Sequence, residues 1–471
     1  MKKTYKNMLL SKSILSGFGK IFLLSIGILL ISCSDDEGVS SETYPNLADR
    51  TNAGGATTVY SATSQAFSWI SPGLSASEEN DHMQGDYLFE MSFVTYPAPI
   101  YSGLGPIYNN VSCISCHPKD GRANFPDANI NAPSGLFLRI SIDGTDENGG
   151  PNSVPGFGTQ MQNQAIFGYK SEGKYQVTYT DITETLADGT IVTLRKPSYS
   201  FIDTYIPLPA GVMISPRIGM PIFGSGLLEL IPEADILALQ DINDADGDGI
   251  SGRANYVWDE VDNKIKIGRF GWKASVPNVK MQTIEAFHQD IGLTSSFHMT
   301  ESSYATDGSI HPEISDNSIN LVDLYCRTLG VPAARDLNNP TVQKGAKIFD
   351  DINCSKCHVP QQKTGYSSIA ALSFQTFYPY TDMLLHDMGD RLGDGRPDYL
   401  ATGNEWKTRP LWGIGLTQVV NGHTRFLHDG RARNLTEAIM WHGGESRPAK
   451  DAFKALNTSD REALLKFVNS L

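Results

Sequence analysis

Two short stretches of this chain each place two thiols and an imidazole within five residues: Cys113-Ile114-Ser115-Cys116-His117 and Cys354-Ser355-Lys356-Cys357-His358. That spacing suits one chemistry. Both thiols of a pair reach the vinyl groups of one porphyrin, and the adjacent histidine reaches the iron. A zinc site would need a second ligand pair nearby, and neither motif has one. The chain therefore reads as carrying two covalent haem c groups, with His117 and His358 as proximal iron ligands. Four of its six cysteines lie in these motifs, so no disulfide framework is expected. Cys326 sits in an apolar stretch and reads as a buried, unpaired thiol.

A third pattern is acidic. Asp244, Asp246 and Asp248 alternate, Gly249 permits a sharp turn, and Ile250 would offer its carbonyl, as in a calcium loop. Position twelve is Asn255 rather than a bidentate glutamate, so Ca2+ would be held less tightly or capped from elsewhere.

The N-terminus reads as an address. Lys2, Lys3, Lys6, Lys12 and Lys20 precede an apolar run over 21–31, which ends at Ser32-Cys33. The run is short for a bilayer span. The placement of Cys33 resembles a bacterial lipoprotein box, in which that cysteine is acylated. Residues 1–32 are then a signal peptide, and the mature chain is anchored by lipid to the cell envelope of a Gram-negative bacterium. Asp35, Asp36 and Glu37 resemble the acidic tract of surface-exported lipoproteins, leaving both the periplasmic and the outer face open. Residues 33–75, rich in Ser, Thr and Gly, read as a polar tether.

Stepping outward from these motifs, 471 residues exceed one ordinary domain, and 40% hydrophobic content is enough for a core. A net charge of −14 argues against nucleic acid as a partner. Apolar spacing predicts helices over 82–93, 227–239, 282–292, 320–329, 342–349, 436–442 and 461–471, with short strands at 175–179 and 190–194. The expected architecture is mainly α with a β-containing insertion, loop-rich, with two cytochrome c-like haem domains at 76–337 and 338–471. No internal repeat is visible beyond the two haem motifs.

Gly103-Leu-Gly-Pro106, Asp120-Gly-Arg122, Ser215-Pro-Arg217, Gly226-Leu-Leu-Glu229, Gly268-Arg-Phe-Gly-Trp-Lys-Ala274, His386-Asp-Met-Gly389, Glu405-Trp-Lys-Thr408 and Trp441-His-Gly-Gly-Glu445 surround the two motifs. Together they resemble the di-haem oxidoreductases described as peroxidases or thiol oxidoreductases. More distantly, the chain is similar to bacterial di-haem cytochrome c peroxidases. The resemblance implies that His442, fourteen residues after His428, is the second axial ligand of the C-terminal haem, with Met440 and Met388 as alternatives; His428 itself would pack rather than bind iron. It implies that Trp272 relays electrons between the haems. It also implies that Gln282, ten residues after Trp272, and Asp290 flank a reactive N-terminal iron. Asp290 departs from the family's glutamate. No histidine occurs between His117 and His288, so the first iron is open or is capped by His82, Met161 or water.

The expectation for function is a peroxidase-like di-haem oxidoreductase. Electrons would enter at the C-terminal haem from a small cytochrome or cupredoxin and reach hydrogen peroxide at the N-terminal haem. The alternative is a non-catalytic di-haem electron-transfer lipoprotein accessory to iron acquisition.

Overall fold

Helix α1 (Ala76–Glu90) begins at a capping box, with the Ser75 hydroxyl accepting from the Glu78 N–H and the Glu78 carboxylate accepting from the Ser75 N–H. In chain order it is followed by α2 (Val279–Glu285), α3 (Asp316–Arg327), α4 (Pro340–Asp351), α5 (Leu435–Met440), α6 (Arg447–Ala455) and α7 (Thr458–Ser470). Asparagine or serine side chains cap α2, α3, α4, α5 and α7 at their N-termini. The computed structural model describes residues 44–126, 134–302, 304–306 and 311–471, and 44–471 fall in one compact unit. The signal peptide and Cys33 lie outside the described residues.

The mainly α, paired cytochrome c-like architecture is not what forms. Helices make up 29% of the structure and strands 19%. Among the described residues the strands form small sheets of two or three members. The largest is a hairpin of two twelve-residue strands, Lys174–Thr185 and Ile191–Ile202, turning at Asp188-Gly189. The strands expected over 175–179 and 190–194 cover only part of each arm. Alternation is clear at Tyr175, Val177 and Tyr179 and is lost where polar residues continue the strands. A three-stranded sheet, Gln160–Met161, Leu136–Ser141 and Met213–Ile218, adds further strand content.

Two other expectations shift. The helix anticipated over 227–239 is two short turns, Ser225–Glu229 and Glu233–Leu237, separated at Pro232, whose ring cannot donate a helical hydrogen bond. The tether expected through residue 75 is packed from Leu47 onward. Leu47 and Phe67 are fully buried, and Thr58–Val59 pairs in parallel with Val331–Pro332. A few large apolar side chains anchor a stretch whose overall composition looks like linker.

The fold contains a repeat that composition hides. In the first half, α1 crosses α3 at Gly85, where a Cβ would lie 2.2 Å from the Leu321 carbonyl oxygen. One turn on, Phe89 packs 5.2 Å from the Tyr325 ring and 6.2 Å from the His117 ring. In the second half, α4 crosses α7 at Gly345, where a Cβ would lie 2.0 Å from the Ala463 carbonyl oxygen. One turn on, Phe349 packs 5.4 Å from Phe467 and 6.3 Å from His358. Each CxxCH histidine thus rests on a phenylalanine whose height is set by a glycine helix crossing.

The halves are also stitched together. At the hairpin's turn end, Asp188 pairs with Arg461 on α7, and Glu184 pairs with Arg391 and with Lys454 on α6, the last two at 2.6 and 2.7 Å. A strand pair inserted in the first half therefore braces helices of the second. Gly85→Ala and Gly345→Ala should each lower unfolding free energy by about 1–3 kcal/mol, because backbone rather than a movable side chain meets the new methyl. Urea titration followed by circular dichroism reads this, and wild-type midpoints would mean the crossings are looser than described.

Candidate functional site

The two motifs open into one continuous cavity. Cys113, Cys116 and His117 line one part of it; Cys354, Cys357, His358 and His442 line another. The space unfilled by protein atoms is about 3210 Å³, open to solvent in places.

Five histidines line this cavity among the described residues, and their hydrogen bonds sort them. Nδ1 of His117 donates to the Met220 carbonyl at 2.6 Å, Nδ1 of His358 to Tyr380 at 3.0 Å, and Nδ1 of His442 to Ala438 at 2.8 Å. Each is fixed as the tautomer whose Nε2 lone pair is left to the cavity, the arrangement a metal-ligating imidazole needs. Burial pushes His358 down to about 4, with His442 close enough to push in the same direction. Both rings are therefore neutral, and they are neighbours. Nothing comparable approaches His117.

The other two histidines are fully occupied. His428 donates from Nδ1 to the Pro216 carbonyl at 2.9 Å, accepts at Nε2 from Arg431, and stacks on Trp406 at 4.0 Å. His386 is held between Asp382 and Glu445 at 2.8 and 2.7 Å, and these carboxylates outweigh burial and raise its pKa well above the ordinary value. Of the alternatives to His442, Met388 lines the cavity, while Met440 is buried in the surrounding core. His82 bonds Thr328 at 2.7 Å and packs on Tyr325, and Met161 belongs to a separate core; neither lines the cavity. Cys326 does line it, as a buried thiol.

Two buried arginines of the cavity have no carboxylate beside them among the described residues. The Arg122 and Arg409 guanidiniums lie 5.8 and 5.3 Å from the Trp272 ring. Burial lowers Arg122 to about 10, and burial together with Arg122 lowers Arg409 to about 9. Nε and Nη1 of Arg122 have no hydrogen-bond partner. Lys407 is pushed far down by burial and by Arg409 and Arg269. Uncompensated buried cations are costly, so the site calls for bound anions. The propionates of two porphyrins would supply them, and the residues present fit the group. Trp272 is itself pinned by donating from Nε1 to the Ile218 carbonyl at 2.9 Å.

Gln282 and Asp290 both line the cavity. Helix α2 carries Gln282 and runs directly into a π-helical turn, Ala286–Ile291, that carries Asp290. The wider turn brings a residue eight positions on to the same wall, and such turns are frequent at functional sites. Asp290 accepts from Gln160 Nε2 at 2.6 Å. Burial raises its pKa, with Arg139 and Gln160 opposing and Glu285 adding to the rise. Its charge in turn acts on the thiols of Cys113 and Cys116, which places it at the first motif; burial, with this carboxylate behind it, pushes Cys113 up to about 12. Arg139, Gln160 and Gln162 form a polar wall here that the sequence reading missed. Arg139 and Gln160 sit on paired strands and Gln162 just beyond one, and nothing in the sequence marks them.

The acidic loop is built differently from expectation. Asp248 and Ile250 line the cavity, and Lys356 of the second CxxCH motif pairs with Asp248 at 3.0 Å and Asp246 at 3.7 Å. The carboxylates that converge are those of Asp241, Asp244 and Asp246. Asn255 turns away, donating to the carbonyls of Lys273 and Asp398.

With two imidazole-headed thiol pairs facing one anion-seeking cavity, the class is a di-haem protein. Residues 47–471 match the family described as "Di-haem oxidoreductase, putative peroxidase", and the chain belongs to it. No curated protein and no solved structure matches the chain. The packing role of His428 is testable: His428→Leu should leave both haem spectra intact while lowering stability by about 1–3 kcal/mol, since the Pro216 carbonyl loses its donor. Loss of a low-spin haem signal in that variant would instead make His428 a ligand.

Proposed function

We propose that the chain is a di-haem peroxidase in which the two ends of the cavity have different tasks. The carrying observation is the histidine count by end: two neutral, Nε2-presenting imidazoles at the second motif, His358 and His442, against His117 alone at the first. Cys113 and Cys116 would hold one haem covalently, and Cys354 and Cys357 the other. An iron bound between His358 and His442 suits electron transfer, and one bound by His117 alone keeps a face for a substrate.

Haem iron, when bound, supplies the electron transfer that reduces peroxide. The overall change is H2O2 plus two electrons and two protons to two waters. The chain's own residues manage protons and position. Asp290 accepts a proton from one peroxide oxygen and returns it to the other, which leaves as water. The Gln282 amide orients the peroxide by hydrogen bonding. Arg139 and Gln160 steady the Asp290 carboxylate, and Trp272, held between Arg122 and Arg409, offers an aromatic step between the haems. Electrons would come from a small cytochrome or cupredoxin at the C-terminal haem. A lipid anchor at Cys33 would place this chemistry in the cell envelope; among the described residues no helix is long and apolar enough to cross a membrane. A weak calcium site in the Asp241–Asp248 loop would neutralise carboxylates beside Lys356.

Three measurements test this. Asp290→Asn should cut peroxide turnover by about 10²–10⁴-fold with haem content unchanged. The wild-type rate should fall as pH drops through the raised pKa of Asp290, because only the ionised form accepts a proton, and the variant should lose that limb. His442→Met should raise the reduction potential of the C-terminal haem in a spectroelectrochemical titration; an unmoved potential would give the position to Met388. Two low-spin ferric haems that ignore peroxide and cyanide would sink the catalytic reading and leave an electron carrier.

A further inference from the structure

Outside the haem cavity, one cluster has a metal-ligand make-up that the chemistry above does not use. Glu285 is the last residue of α2, and its carboxylate points away from the cavity toward His298 and Glu260. Nε2 of His298 lies 3.4 Å from Glu260 Oε2 and 3.6 Å from Glu285 Oε1. All three donor atoms lie within 4.8 Å of one another. These separations are too long for charge-assisted hydrogen bonds, which run to about 2.7–2.9 Å. They are the spacing expected of neighbouring ligands around one ion, since bonds of roughly 2.0–2.2 Å in a tetrahedron put ligand atoms ~3.3–3.6 Å apart.

Two further observations point the same way. The His298 Nε2 is buried and has no hydrogen-bond partner. So is Nδ1 of His288, whose ring stacks on His298 at 4.2 Å. His288 donates from Nε2 to the Thr300 carbonyl at 3.0 Å, so its Nδ1 is a buried lone pair with no donor. Glu285 is held from behind, as ligands of a metal usually are: Gln289 donates to its other oxygen, and Arg139, in the cavity wall, donates to Gln289. Glu260 is 39% exposed, which leaves an entry path from solvent.

We propose that Glu260, Glu285 and His298 form a binding site for a divalent first-row cation of the Zn2+ class on the outer wall of the peroxide end. Two carboxylates balance a dication, and together with the His298 imidazole they suit such metals better than Ca2+, which seeks oxygen ligands alone. An ion there would tie the helix carrying Gln282 to the loops carrying Glu260 and Glu285's partner His298. The proposal stands apart from the peroxidase reading, because metal occupancy is measured without turnover.

The test uses the intact di-haem protein, stripped with chelator, dialysed against Zn2+, desalted, and analysed for zinc and iron by mass spectrometry. The expected result is one zinc per two haem irons. Glu260→Gln, at a half-exposed position that folding tolerates, and His298→Ala should each weaken binding at least ~10-fold by calorimetry. Asp244→Asn, in the separate acidic loop, should not. Zinc-edge absorption should show a nitrogen and oxygen shell without sulfur. No retained zinc, retention indifferent to Glu260→Gln and His298→Ala, retention lost in Asp244→Asn, or a sulfur shell would each overturn it.

Discussion

Two buried guanidiniums with nothing of opposite charge beside them govern this structure. Arg122 and Arg409 both lie against Trp272 in the cavity, near enough for Arg122 to depress the Arg409 pKa. Breaking a buried ion pair by losing one partner costs about 3–5 kcal/mol, and among the described residues neither guanidinium has such a partner. Anionic prosthetic groups would meet that need, and the rest of the site accords with it: one shared cavity, two thiol pairs facing it, and imidazoles tied at Nδ1 so that Nε2 is presented.

The parts of the site legible in the sequence were those where chemistry is written in contiguous residues. CxxCH needs no fold to be recognised. His442, Gln282 and Asp290 came from family spacing, and the structure brings each to the cavity wall; the shortened interval to Asp290 is taken up by the π turn. Arg139, Gln160, Arg409 and Lys407 were invisible because their meaning depends on burial beside residues hundreds of positions away. Family spacing gave His428 a packing role, and both of its ring nitrogens are occupied, as are those of His386, to which the sequence assigned no role.

The fold was less legible than the site. Helix positions held well for α3, α4 and α7, while α1 starts six residues before the expected 82 at a capping box and lacks an apolar period. The class did not, because threonine, serine and charged residues extend the long strands beyond their short apolar runs. The correspondence of Gly85 and Phe89 with Gly345 and Phe349 escaped notice for a different reason: two matching residues four apart are no signal until a helix crossing gives them a common job.

The wall of the first cavity has a consequence for how its thiols are enclosed. Asn421 holds the first motif's loop from both sides, accepting from the Arg122 N–H at 3.0 Å and donating to the Pro118 carbonyl at 2.7 Å. Trp412, Leu416 and Val420 belong to the same core as Phe89 and Tyr325. Cys113 and Cys116 emerge from synthesis some three hundred residues before that covering stretch. The wall over the first motif is therefore completed only by a segment far along the sequence, and Cys113 and Cys116 are enclosed by topology rather than by their own neighbours.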